Sequence, residues 1–101
     1  MAKAVHREIL TLSPEPQVLP IGRARILHTK QGRREKNTID IWYETDPDYW
    51  RYPDEAHRDV IIIGTGERIS NEYSHLGTVV CENGFVWHIY VKGVLQHGVV
   101  V

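Results

Sequence analysis

The chain has 101 residues, 12 Lys and Arg against 13 Asp and Glu, and a formal net charge of -1. That is one domain's worth of chain, and the balanced charge lacks the basic excess of a protein that coats nucleic acid. A single cysteine, Cys81, excludes an intrachain disulfide framework and every multi-cysteine zinc site. No apolar run is long enough to span a membrane, and the first residues lack the apolar stretch of a signal peptide, so a cytoplasmic protein is expected. Val and Ile outnumber Leu, Ala and Met by 21 to 11, and side chains branched at Cβ favour a pleated surface over a helix. No segment keeps an apolar stripe at helical spacing for three turns. The expectation is therefore a mainly β fold: a small antiparallel sheet, sandwich or partly open barrel of about five to seven strands, with at most one short helix. One domain over residues 1–93 is expected, with residues 94–101 a short C-terminal edge strand or tail.

In chain order, residues 5–12 alternate imperfectly and read as a first strand, with Val5, Arg7 and Ile9 on one face. Pro14, Pro16 and Pro20 forbid a central strand, leaving a loop or an edge segment. The next strand places Ala24, Ile26 and His28 on one face and Arg23 and Arg25 on the other. A polar connection with Gly32 and Asn37 leads into residues 38–44, which resume period 2 and close a hairpin. Pro47 and Pro53 rule out a regular helix between them, though residues 54–57 have room for one short turn. Residues 60–63 are apolar on both faces and read as the most buried strand. Residues 75–81 and 85–91 flank Asn83 and Gly84, the strongest hairpin signal in the chain. Ile26, Ile41, Ile62, Val79 and Trp87 are the expected core.

Candidate sites each have a plainer reading beside them. Gly64, Thr65 and Gly66 follow a buried strand, as a phosphate loop does, but the third glycine and the helix of a dinucleotide fingerprint are missing. The plainer reading is a strand end that needs positive φ; backbone N–H groups holding a small anion is the sharper one. His28, His75 and His88 all fall on strands, yet no pair has metal-ligand spacing, and hydrogen-bonded histidines are the commoner outcome. Cys81 beside a turn reads as a small hydrophobe rather than a nucleophile. Asp40 and Glu44 share a face with Trp42 and read as solvated surface. No nucleophile and base pair emerges, so no enzyme, cofactor or metal is expected.

Two patches say more. Arg23, Arg25, Lys30, Arg33, Arg34 and Lys36 gather on one hairpin. Tyr49, Trp50, Arg51 and Tyr52 stand in a row in the longest connection, residues 46–59, with the composition of interface hot spots. Acidic residues interleaved with these aromatics argue against nucleic acid as the partner.

An ordered set of elements carries a resemblance. Ile26, Leu27 and His28 followed by Gln31, then Ile41 and Trp42 followed by Glu44, Asp46 and Pro47, come first. Ile63, Gly64, Thr65 and Gly66 with Ile69, then Leu76, Gly77 and Thr78, and last Val86, Trp87, His88, Ile89 and Tyr90 complete it. Over residues 7–91 the chain resembles a family of small single-domain bacteriophage proteins of unknown function. It departs from that pattern at residues 33–36, in the loop 49–57 and after Val91. The resemblance implies a phage-encoded protein working in a host bacterial cytoplasm, and it supplies no catalytic residues. The function expected is a non-enzymatic interaction module that binds a host or phage protein, in host takeover or against host defence. Tyr49, Trp50, Arg51, Tyr52, Arg33 and Arg34 form its expected interface, with self-association a further option. The alternative is a domain that binds a nucleotide or other anion through Gly64, Thr65, Gly66, His75 and His88.

Overall fold

The computed structural model describes residues 3–33, 35–46 and 57–101. Among these residues the chain forms strands and no helix. Six strands are long: β1 (Ala4–Thr11), β3 (Arg25–Gln31), β4 (Thr38–Thr45), β5 (Arg58–Gly64), β6 (Tyr73–Val80) and β7 (Val86–Lys92). Three are short: β2 (Gln17–Leu19), β8 (Leu95–Gln96) and β9 (Val99–Val100). They build two antiparallel sheets, one in the order β1-β4-β3-β9-β8 and one in the order β2-β5-β7-β6. Leu10, Ile39, Ile41, Tyr43 and Val100 of the first sheet and Val60, Ile62, Val79, Ile89 and Val91 of the second belong to one buried cluster. Ile26 and Trp87 are half-buried against it. The short turn expected at residues 54–57 lies, but for His57, outside the described residues.

The prolines after β1 move the chain from one sheet to the other. The Gln17 side chain holds that crossing: its Oε1 accepts from Thr11 N at 3.0 Å and its Nε2 donates to Thr11 O at 2.7 Å. A side-chain amide thereby takes the place of a neighbouring strand at the last residue of β1. β2 then lies at the edge of the second sheet, where a proline-rich segment is tolerated. The C-terminal hairpin turns through His97 and Gly98, both at positive φ (50° and 80°), the two-residue type I′ geometry that matches strand twist. It sets Val100 in the core.

In β1, Val5, Arg7 and Ile9 share one face as expected; it is the outer face, and Leu10 enters the core, because antiparallel pairing sets Ile9 opposite Asp40 and Leu10 opposite Ile39. Two other expectations fail on register and burial. In β3, a bulge at Leu27 shifts the register: Ile26 pairs Tyr43, but His28 pairs Trp42. The extra residue reverses the alternation, so His28 joins Arg25 on the outer face instead of following Ile26 inward. Finally, the most buried strand is β4, not residues 60–63: six of its eight residues are buried against three of seven in β5. β4 lies between β1 and β3, and side chains also cover part of its outer face. A second bulge, at Leu76 in β6, leaves Gly77 opposite Ile89 and facing Thr29 of the other sheet.

Candidate functional site

Chemistry-bearing side chains collect on the two outer faces of the sandwich. On the first sheet, pairing lays Arg7 of β1 and His28 of β3 on either side of Trp42. The His28 ring lies 5.8 Å from the Trp42 ring, and the Arg33 guanidinium stands 5.9 Å from the same ring's centroid. Asp40, two residues back on β4, is only 3% exposed although it points outward. It was expected to be solvated surface. Arg7 Nη1 and Arg33 Nε lie 3.8 Å and 3.9 Å from its Oδ2 and shield it from water. Neither is within hydrogen-bond distance, and Oδ2 meets no donor among the described residues. A buried carboxylate oxygen left so is rare and costly unless something donates to it. Asp40, Arg7 and Arg33 line a cleft of about 270 Å³ together with Ile9, Glu35 and Thr38.

On the second sheet, register brings together side chains far apart in sequence. Ile61 and His75 flank Tyr90, Ile63 and Thr78 flank His88, and Val80 pairs Val86. All of these point away from the core cluster. Thr78 Oγ1 lies 2.9 Å from His75 Nε2 and 3.1 Å from His88 Nδ1, and His88 Nε2 lies 3.0 Å from Thr65 Oγ1. A hydroxyl has one proton, so between two neutral rings Thr78 donates to one nitrogen and accepts from the other. The chain His75–Thr78–His88–Thr65 can thus run in either direction with both imidazoles neutral and every one of these bonds made. Tyr90 meets the His75 ring edge-on at 5.3 Å.

Of the residues singled out in the sequence, Thr65, His75 and His88 are therefore joined, through a threonine that sequence reasoning did not select. Gly64 and Gly66 shape the turn: Glu67 N donates to Gly64 O, and Gly66 has φ 92°. The Glu67 carboxylate folds toward Gly64, 3.0 Å from where a Cβ would sit there, and a negative charge at that spot opposes an anion. Arg33 belongs to the Asp40 cleft on the other sheet. Arg34, Tyr49, Trp50, Arg51 and Tyr52 lie outside the described residues. Cys81 is buried and forms no disulfide, and no group of three or more His, Cys, Asp or Glu among the described residues could hold a metal ion. Asp40 and Arg7 were missed as site residues, since their meeting depends on strand register.

A family described as a domain of unknown function, DUF7352, matches residues 1–97. The chain belongs to the DUF7352 family. The match runs through residues 33–36 and 49–57 and continues beyond Val91, so these stretches lie within the DUF7352 domain. No curated protein and no solved structure matches the chain. Among the described residues no helix is long and apolar enough to cross a membrane.

Proposed function

We propose that this DUF7352 chain is a non-enzymatic interaction module that docks a protein on the outer face of its second sheet. One observation carries the reading. An outward sheet face is ordinarily polar, yet here the half-buried Ile61, Tyr73, Val86 and Tyr90 occupy outward positions beside Val80, which is 70% exposed. Apolar and aromatic surface of this kind marks association sites. The polar groups on the face, His75, Thr78, His88 and Thr65, are already bonded to one another. Covering them with a partner leaves Thr78 Oγ1, both His88 nitrogens and His75 Nε2 satisfied, which lowers the desolvation cost that usually opposes docking. The sequence resemblance extends the proposal: a phage-encoded module of this kind would meet a host or phage protein in a bacterial cytoplasm.

Affinity capture from bacterial lysate, with the wild type, Val80→Asp and Val5→Asp as baits, tests this. A partner kept by the wild type and Val5→Asp but lost by Val80→Asp is the expected result. Equal retention by all three, or no partner for the wild type, refutes the docking face. Trp50→Ala in the same assay tests the aromatic loop, and an interface role requires weaker capture at an unchanged melting temperature.

A further inference from the structure

We propose that the cleft between Arg7, Asp40 and Arg33 binds a small free α-amino acid, with its ammonium against Asp40 and its carboxylate against the two guanidinium groups. The Asp40 side chain is 4% exposed, and its Oδ2 has no donor among the described residues. Arg7 and Arg33 stand too far from that oxygen to bond it, at 3.8 Å and 3.9 Å. Their side chains are 40% and 63% exposed, so both can swing aside while the carboxylate, fixed on the central strand, stays.

Charge then selects the ligand. A cation alone would relieve Asp40 but meet two guanidinium groups; an anion alone would suit the arginines but face a desolvated carboxylate. The described side chains lining the cleft carry two positive and two negative charges, Arg7 and Arg33 against Asp40 and Glu35. Only a ligand with both charges a few atoms apart satisfies floor and walls together, and an α-amino acid is the smallest such group. Among the described residues no aromatic ring lines the cleft, so none of them gives a nucleobase a stacking surface. Ile9, half exposed at the rim, offers an apolar wall for a short aliphatic side chain. A volume of about 270 Å³ lies just below the range of drug-sized pockets and suits a small metabolite.

Titration of the wild-type protein with L-valine, isobutylamine and isobutyrate, followed by amide chemical shifts, separates the ligand chemistries. L-valine is expected to give saturable shifts at residues 7, 9, 33, 38 and 40, with a dissociation constant at least about tenfold below that of either single-charge probe. Asp40→Asn keeps the shape of the side chain and should weaken L-valine binding by about tenfold or more while retaining a cooperative urea transition. Should that variant fail to fold, Arg7→Gln and Arg33→Gln, which alter exposed side chains, are each expected to weaken L-valine. No saturable shift with L-valine, equal affinity for the amine or the acid, or shifts confined to other residues overturns the proposal. The cleft then holds a structural ion-pair triad only.

Discussion

Gly77→Ala should destabilise the fold through a single neighbour, Thr29, and should stop doing so when that neighbour is trimmed. The bulge at Leu76 brings Gly77 of β6 against β3 of the opposite sheet. A Cβ there would lie 2.7 Å from Thr29 Oγ1 and 3.0 Å from Thr29 Cγ2. Both atoms hang on a side chain branched at Cβ, which cannot swing away as a lysine tip could. Overpacking of this kind costs about 1–3 kcal/mol, whereas the stiffer unfolded chain returns about 0.4–1 kcal/mol. The net expectation is a loss of about 1–2 kcal/mol, or about 5–15 °C in melting temperature for a domain of this length. Thr29→Ala removes both close atoms and leaves the Thr29 Cβ at 3.5 Å, an ordinary contact. In that background Gly77→Ala should be neutral or slightly stabilising. Urea unfolding of the wild type, both single variants and the double variant gives the coupling energy directly. An equal cost of Gly77→Ala in both backgrounds would refute the close approach of β3 and β6.

Ile62 is buried in the shared cluster, and Ile62→Ala should cost about 2–5 kcal/mol in the same urea assay; a loss below about 1 kcal/mol would contradict its place in the core. His97 holds φ 50° in the C-terminal turn, a conformation that asparagine adopts more readily. His97→Asn should therefore raise stability by about 0.5 kcal/mol, and a lowered urea midpoint would contradict the type I′ turn.

The fold class was legible because it rests on local signals. Val and Ile content, period-2 runs and Asn83 with Gly84 all act within a few residues. The turn there forms with Gly84 at φ 89° and Gly84 N donating to Cys81 O at 3.0 Å. Face assignments failed where one inserted residue counted. Nothing in Ile26, Leu27 and His28 announces a bulge, since all three suit a strand, yet the bulge decides whether His28 meets the core or Trp42. The Gln17 clasp on Thr11 was equally hidden, because a glutamine between prolines reads as loop. The Thr65 and His88 pair was reached only as two separate suspicions. Thr78, which links His88 to His75, is an ordinary strand residue until pairing sets it opposite His88.

The two outer faces then separate what the fold requires from what it does not. A sandwich needs apolar side chains only between its sheets, and on the first sheet the outer positions mix Arg7, His28, Asp40 and Glu44 with Val5, Ile9 and Trp42. The arginines that settle over Asp40 leave its Oδ2 without a donor among the described residues, a cost that nothing in the strand pairing demands. On the second sheet the outer positions break the rule with Ile61, Val80, Val86 and Tyr90, and strand pairing does not require those either. Val80 is 70% exposed, so it contributes little to the stability of the isolated domain. Both departures have the same physical form: free energy left unsatisfied in the isolated chain and recoverable on binding. One is an unmet acceptor and the other is wetted apolar area. An unmet acceptor calls for a small donor that can enter a cleft, and apolar area on a sheet face calls for a surface, so the two sites make independent demands. A substitution at Val80 should leave amino-acid binding at Asp40 untouched, and a substitution at Asp40 should leave protein capture intact.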